Sequence, residues 1–341
     1  MKYFLDASLF ALSDGITQNE FEDYLSDIQN WEYWQKNHSE DVYILSSLVD
    51  TLSNELLYPF DHVINTLLSQ FSINYIQGRD VSRIMGRIVD KANRIDAMDD
   101  TTIINCNAYS FSPMGLSDSL FDSLSLQESF VNAVLYTDFL CARSREPSES
   151  FGFFVRSSSK QTTIQVSFDI LSDDSYEKDV KREFTISCYK SFDSFFRDSD
   201  SAELFWKLAK NNNDLEQGVH SRLFHDLKMG DLSELDAYSL IIQPSFYDDY
   251  SKNHYNDSPM VIRAAIRNIT DTLLDLNLSD VHPLREDSGG NTKDLEVDGV
   301  KAYRREISKD GKRIHYWRCP DFISFANINE HDFFSISRYQ S

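Results

Sequence analysis

The chain has 341 residues, a hydrophobic content of 41% and a formal net charge of −22 at pH 7. That length and apolar content are enough for a substantial buried core, and they predict two or three domains. The charge disfavours a general nucleic-acid-binding protein, because affinity for nucleic acid comes mostly from the neutralisation of phosphates.

Several common functional motifs are missing from the sequence. The 11 glycines form neither GxGxxG nor GxxxxGK(S/T), and no GxSxG occurs, so we expect no Rossmann fold, P-loop or hydrolase elbow. The four cysteines are far apart, which predicts reduced core thiols rather than a zinc site or disulfides. Because no apolar run approaches about 20 residues and the start shows no cleavage signal, we predict a cytoplasmic protein without membrane contact.

The first elements of the chain are predicted as a strand followed by a helix. Residues 2–10 form a predicted buried strand that contains Asp6. Thr17, with Glu20 three residues later, is typical of a capping box, in which each side chain bonds the other's backbone N–H. A helix is therefore predicted from Asn19, with its apolar stripe in the core.

A strand at 42–45 and a helix that carries Asp50 and Glu55 follow, and Asp80 opens a further predicted helix. This succession, with Asp6 in the first strand, resembles the opening of PIN-type nucleases, which gather three or four carboxylates around magnesium. The resemblance implies a magnesium site made by Asp6, Asp50, Glu55 and Asp80, since a hard cation prefers several convergent oxygens. The alternative is that these carboxylates cap helices or are simply solvated.

The middle of the chain predicts a boundary and then antiparallel strands. Residues 126–140 predict a largely buried helix, and the Pro- and Glu-containing stretch 144–150 predicts a domain boundary. Strands are predicted at 152–156, 162–171 and 183–189, and helices at 202–210, 215–229 and 235–243. A polar hinge is predicted at 245–258.

The last part of the chain predicts a helix packed on a small sheet. Ser258-Pro259 predicts a helix start, and apolar residues then recur at spacings of three and four, namely Ile262, Ile266, Ile269, Leu273 and Leu276. Strands at 301–308 and 313–319 flank Asp310-Gly311, a pair that favours a tight hairpin. A third antiparallel strand is predicted at 322–328.

The predicted fold class is α+β, in three regions. Residues 1–145 form a mainly helical acidic domain, and residues 150–250 form a mixed α+β domain with antiparallel strands. Residues 258–341 form a small module with one helix on an antiparallel sheet.

This C-terminal module resembles the RelE/ParE toxin superfamily. The residues that carry the resemblance are the apolar helix, the segment Pro283-Leu284-Arg285, strands that read Tyr-Arg-Arg and Arg-Ile-His-Tyr, and the histidine His331 after the last strand. The resemblance implies a small α+β domain of a kind that cleaves messenger RNA on the ribosome or poisons a topoisomerase. The family commonly places an arginine and a tyrosine after that histidine, whereas Asp332 and Phe334 stand here, which disfavours ribonuclease activity.

Seven basic residues lie within 299–319, against only two acidic ones. This cluster could contact a phosphate backbone, a protein partner or the acidic front of the same chain, by which we mean residues 1–257, where nearly all of the net negative charge lies. Alternatively, it could be a solvated hairpin whose charges prevent aggregation. Ribonuclease chemistry would draw phosphate neutralisation and acid/base groups from Arg304, Arg313, His315, Tyr316 and His331. Binding alone would draw on Lys301, Arg305, Lys312 and Arg318.

Three functions follow from these patterns. The first is a component of a prokaryotic toxin or an anti-phage or mobile-element defence system, whose C-terminal module recognises a protein partner and requires no cofactor. The second is a ribonuclease toxin that contacts RNA through the C-terminal hairpin. The third is a magnesium-dependent PIN-like nuclease that uses the N-terminal carboxylates.

Overall fold

A computed structural model describes residues 2–12, 15–98, 102–112, 123–144, 151–156, 161–172, 176–196, 201–230, 232–286, 293–307, 311–330 and 335–339. The chain is an α+β protein, as predicted. It divides into two compact units, Met1–Phe195 (unit 1) and Phe196–Ser341 (unit 2). Across the described residues, no helix combines the length and apolarity needed to cross a bilayer.

The two units differ from the three predicted regions. The predicted boundary at 144–150 falls inside unit 1, because the strand that follows it pairs with the first strand of the chain. The predicted boundary at 250–258 falls inside unit 2, because a strand before it pairs with the last strand of the chain. Pairing between strands far apart in sequence therefore sets the division, and local turn composition does not reveal it.

Unit 1 is built on one mixed sheet with helices between its strands. Its elements are β1 (Lys2–Leu5), α1 (Ala7–Phe10), α2 (Gln18–His38), β2 (Val42–Ile44), α3 (Leu48–Asn54), α4 (Asp61–Gln70), α5 (Gly78–Lys91), β3 (Asn93–Arg94), β4 (Ile103–Ser112), α6 (Leu124–Ser144), β5 (Phe151–Phe154), β6 (Gln161–Leu171), β7 (Tyr176–Tyr189) and α7 (Phe192–Phe196). The strand order is β3-β2-β1-β5-β7-β6-β4. The first five strands in that order are parallel, and β6 and β4 continue the sheet antiparallel.

The sheet of unit 1 is covered on both faces, because successive strand residues point to opposite sides. Tyr3 packs against Trp31 of α2, with ring centroids 5.9 Å apart. Phe4, the next residue, belongs to a second apolar cluster with Phe130 and Val134 of α6. The helices α2 and α6 therefore lie on opposite faces, which accounts for the short, almost wholly apolar central strands β1, β2 and β5.

Local signals near the N-terminus are partly confirmed. The Thr17 backbone N–H donates to Glu20 Oε2 over 2.8 Å, and the Glu20 N–H donates to Thr17 Oγ1, which forms the predicted capping box. The prediction of one strand over 2–10 is wrong after Leu5. Asp6 ends the strand and caps α1, because its Oδ1 accepts a hydrogen bond from the Ser8 N–H over 2.9 Å.

Unit 2 has a second sheet and a helical layer. Its elements are α8 (Ser201–Lys207), α9 (Asn212–Leu227), β8 (Leu240–Ile242), α10 (Pro244–Lys252), α11 (Pro259–Leu273), β9 (Val281–Pro283), β10 (Glu296–Val297), β11 (Val300–Glu306), β12 (Arg313–Arg318) and β13 (Ile323–Asn329). The strand order is β10-β11-β12-β13-β8, and β9 also pairs with β11. The meander β11-β12-β13 is antiparallel, as predicted.

Two predictions for the approach to this sheet are wrong. The predicted helix 235–243 contains the strand β8, which pairs in parallel with β13. The predicted polar hinge 245–258 contains α10, which begins at Pro244 and buries Phe246 and Tyr250. The polar residues of that stretch lie on the other face of the helix, so its composition resembles that of a loop although its apolar residues are four apart.

The C-terminal helix and hairpin agree well with their predictions. In α11, Ile262, Ile266 and Ile269 are all at most 3% exposed. The helix ends at Leu273, however, and the predicted stripe member Leu276 is exposed. Gly311 has a φ of +86°, as a tight hairpin turn requires, whereas Asp310 lies outside the described residues.

Candidate functional sites

The first candidate site is the basic sheet face of unit 2, which we define as Arg304, Arg313 and His315. Strand pairing places Arg304 directly opposite His315, and Glu306 directly opposite Arg313. Residues that lie opposite one another share a face of the sheet, and so do alternate residues of one strand. The three side chains therefore lie on one side of the β11-β12 pair, together with Glu306 at its margin.

The charge of Arg304 is poorly accommodated on this face. Its Nε is buried and has no hydrogen-bond partner among the described residues. Burial lowers the pKa of Arg304, and the positive charges of Arg313 and Arg285 lower it further. Each of these effects disfavours a guanidinium cation, so a bound anion would stabilise it.

His315 and Tyr316 are enclosed by protein. His315 is 0% exposed, and burial followed by the charges of Arg304 and Arg313 lowers the pKa of His315 to about 4. Tyr316 is 1% exposed, and burial raises the pKa of Tyr316 to about 12. Both groups are therefore neutral at physiological pH. Tyr316 packs on the opposite face of the sheet, against Tyr303 and Phe325.

Arg305, predicted as a binding residue, has a structural role. It is 1% exposed and points to the opposite face from Arg304, towards α11. Its guanidinium donates to side chains of Asn268, Thr272 and Asp271, and to backbone carbonyls just after the helix. Arg305 therefore ties β11 to α11 and to the segment that follows the helix.

The other predicted residues of the C-terminal site are spread around the sheet. Arg318 forms an ion pair with Asp275, and Lys301 is exposed near the sheet edge. The Lys312 ammonium lies 5.9 Å from the ring centroid of Tyr255 and 4.0 Å from Glu330 Oε1. His331 lies outside the described residues.

The second candidate site lies at the carboxyl edge of the parallel strands of unit 1. The chain connections run outward from β1 in one direction through β2 and β3, and in the other through β5 and β7. The carboxyl ends of β1 and β5 therefore form a topological switch point, where open parallel sheets bind ligands. Asp6 follows β1, and Arg156 lies two residues beyond β5.

Three residues meet at this switch point, and we call them the carboxyl-edge cluster: Asp6, Ser8 and Arg156. The Arg156 N–H donates to Ser8 Oγ over 3.1 Å, and the Ser8 N–H donates to Asp6 Oδ1. Asp6 is 0% exposed, and its Oδ2 has no hydrogen-bond partner among the described residues. Burial raises the pKa of Asp6 to about 6, although the hydrogen bonds from Ser8 oppose that shift.

The remaining predicted metal ligands lie away from such an enclosed position. Asp50 is exposed in the first turn of α3, Glu55 follows that helix, and Asp80 is half-buried in the first turn of α5. In the part of the chain that the structure describes, no three His, Cys, Asp or Glu side chains form a group that could hold a metal ion. Of the four predicted carboxylates, Asp6 alone lies at the switch point.

Sequence reasoning missed two groups near this edge. The sequence marks Arg156 only as the end of a predicted strand and assigns it no role. In the structure its guanidinium donates to the Ala11 carbonyl over 3.0 Å. Asp27 was one acid among many in α2, yet burial raises the pKa of Asp27 to about 7. A charged residue directly after an apolar strand was the signal for Arg156, whereas nothing in the local sequence distinguishes Asp27.

Comparison of the chain with protein-family models, with curated proteins and with solved structures finds no match in any of the three.

Proposed function

We propose that the chain is a cytoplasmic component of a prokaryotic toxin or antiviral defence system, and that the basic sheet face of unit 2 recognises an acidic segment of a protein partner. One observation carries this proposal. Arg304 keeps a buried guanidinium N–H without a partner among the described residues, beside two like charges. The Arg304 side chain as a whole is only half-buried, so a carboxylate on a partner would pair with the exposed part of the guanidinium and offset the repulsion.

The same geometry favours recognition over ribonuclease chemistry. A general acid or base must reach the proton that it transfers and needs a pKa near the working pH. His315 is 0% exposed with a pKa of about 4, and Tyr316 is 1% exposed with a pKa of about 12. Both groups are enclosed, and both have a pKa far from neutral, so neither meets either requirement. Binding, by contrast, needs only the charge of the arginines.

The assignment to a toxin or defence system is supported by the arrangement of the C-terminal module. One apolar helix, α11, is tied by Arg305 to an antiparallel meander, β11-β12-β13. That is the arrangement implied by the resemblance to the RelE/ParE superfamily. A module with this fold but with Asp332 and Phe334 after the histidine fits a recognition role inside a multi-gene system.

The test is complex formation with the products of the neighbouring genes. We expect the parent chain to bind one of them, and Arg304→Gln with Arg313→Gln to weaken that complex at least ten-fold, as is usual when an interfacial charge pair is broken. Arg222→Gln with Arg263→Gln is the matched control, since it removes the same charge from two other arginines of unit 2. Equal affinity in both double variants would refute the proposal.

A magnesium-dependent nuclease is the second candidate, and the position of Asp6 favours it. Asp6 combines complete burial, an unpartnered carboxylate oxygen and a place at the switch point of five parallel strands. A divalent cation there would accept that oxygen as a ligand. The expected result is magnesium-dependent cleavage of RNA or DNA that Asp6→Asn abolishes. Absence of cleavage, together with an unchanged melting temperature on addition of magnesium, would eliminate this candidate.

A further inference from the structure

More than half of the basic residues of the predicted acidic domain, residues 1–145, lie in one segment, 79–94. Among residues 1–145 the sequence contains nine Lys and Arg residues, and five of them lie within 79–94. Only two acidic residues, Asp80 and Asp90, lie in that segment. The net charge predicts that the front repels nucleic acid, but this segment is locally positive.

The structure places three of the five on the solvent face of α5. Val81, Ile84, Met85 and Ile88 are buried on the opposite face, which packs into unit 1. Arg79, Arg83 and Arg87 are all exposed. Residues four apart on a helix are separated by about 6 Å along its axis. The three arginines therefore form a ridge of regularly spaced positive charge.

Two arginines of this ridge have no ion pair with any residue that the structure describes. Arg87 forms an ion pair with Glu32, with its Nη2 2.6 Å from Glu32 Oε1. For Arg79 and Arg83, by contrast, the described residues supply no ion pair or side-chain hydrogen bond. Their guanidinium groups can each bind a phosphate through two parallel N–H donors.

A glycine interrupts the same face without a structural reason. Gly86 lies inside α5, three residues after Arg83, where glycine destabilises a helix relative to alanine. A Cβ added at Gly86 would meet no atom within 4 Å, so packing does not require the glycine. Its φ is negative, so the backbone conformation does not require it either. A side-chain-free position beside Arg83 allows the backbone of a ligand to approach the helix closely.

We infer that the solvent face of α5, formed by Arg79, Arg83 and Arg87 around Gly86, binds the phosphate backbone of a nucleic acid. The regular spacing fits a polyanion with repeated charges better than a single anion. The contacts are to phosphate and not to bases, so binding is independent of sequence and sensitive to salt. This surface and the sheet face for which we propose a protein partner share no residue.

The test is fluorescence anisotropy of the full chain with labelled single-stranded RNA, single-stranded DNA and duplex DNA, each of about 20 nucleotides or base pairs, at about 50 and 200 mM salt. We expect binding to at least one probe at low salt, with a logarithmic salt slope that falls by about one for each arginine removed in Arg79→Gln and Arg83→Gln. The three probes distinguish which nucleic acid supplies the phosphates.

Two controls separate this site from others. Arg222→Gln with Arg263→Gln removes the same charge elsewhere and should leave the affinity unchanged, and so should Arg304→Gln with Arg313→Gln. Binding that is absent in the parent, retained in the α5 double variant or lost in the Arg304 pair would overturn the inference. Failure of the protein partner to bind unit 2 would leave it intact.

Gly86 gives a further measurement that a merely structural role would not change. Gly86→Ala should raise the melting temperature, because alanine favours the helix. Gly86→Gln should stay folded but weaken nucleic-acid binding, because its side chain occupies the surface that the phosphate backbone approaches. An undiminished affinity in Gly86→Gln would overturn the close approach at this position.

Discussion

Arg305 on β11 is bound to Asn268 on α11, with its Nε donating to Asn268 Oδ1 over 2.8 Å. The same guanidinium reaches Asp271, with Nη2 3.4 Å from Oδ2, although Arg305 is 1% exposed. One residue earlier in the strand, Arg304 points to the other face. Two adjacent arginines thus have different roles, because strand geometry alternates their directions.

Replacement of Arg305 should therefore destabilise unit 2. We expect Arg305→Leu to lower the free energy of unfolding by about 3–5 kcal/mol, since it leaves the carboxylate of Asp271 and the end of α11 without their buried partner. Urea denaturation measures this loss for the whole chain, and hydrogen exchange of the amides in α11 measures it locally. Arg318→Leu, which removes a more exposed ion pair with Asp275, should cost less than about 1 kcal/mol. Similar losses in the two variants would contradict the structural role of Arg305.

The hairpin between β11 and β12 depends on the backbone of Gly311. The φ of Gly311 is +86°, in the left-handed region where a Cβ is strained. Gly311→Ala should therefore lower the free energy of unfolding by about 1–2 kcal/mol. Gly230→Ala is the control, since its φ is not positive and an added Cβ there meets nothing within 4 Å. Thermal denaturation of the two variants should separate them, and equal melting temperatures would count against the strained turn.

Acid should destabilise unit 2 through His315. The pKa of His315 is lowered to about 4 in the folded chain, so as the pH falls below about 6.5 the unfolded chain takes up a proton that the folded chain does not. The free energy of unfolding should fall by up to about 3 kcal/mol as the pH is lowered from about 6.5 to about 4. His315→Gln should flatten this dependence in hydrogen exchange of β12.

The pH experiment has an internal control. His282→Gln replaces an exposed histidine on β9 and should retain the pH dependence of the parent. Some dependence should also remain in His315→Gln, because burial lowers the pKa of His220 in the same unit to about 4. If His315→Gln loses stability on acidification as steeply as the parent, His315 does not titrate as the structure indicates.

Asp6 should have the opposite effect in unit 1. Its folded pKa is raised to about 6, so the folded chain holds the proton more tightly, and the stability from this group is present at low pH and lost as the pH rises through about 6. Asp6→Asn should therefore gain up to about 3 kcal/mol over the parent between pH 4 and 8, with a chelator present. Hydrogen exchange of β1 measures this difference.

Asp50→Asn is the matched variant for Asp6. Asp50 is exposed, so its replacement should leave the pH dependence of unit 1 unchanged. The stability of Asp6→Asn should still depend somewhat on pH, since burial also raises the pKa of Asp27 to about 7. Equal slopes in the parent and in Asp6→Asn would show that the Asp6 carboxyl is solvated rather than enclosed.

The sequence by itself determined the features that depend on residues close together in the chain. The capping box of Thr17 and Glu20, the start of α11 at Pro259 and the positive φ of Gly311 were all legible, because each involves a local hydrogen bond or a backbone restriction. The apolar stripe of α11 was legible for the same reason, since helical periodicity brings residues three and four apart onto one face.

Only the tertiary structure decided the division into units and the environment of each charged group. The strand β5 pairs with β1 across nearly 150 residues, and β8 pairs with β13, so neither unit could be delimited from local turn composition. The burial that perturbs Asp6 and His315, and the direction that separates Arg304 from Arg305, come from residues distant in the chain. A pKa or a surface role reflects the three-dimensional surroundings of a side chain, which its sequence neighbours do not specify.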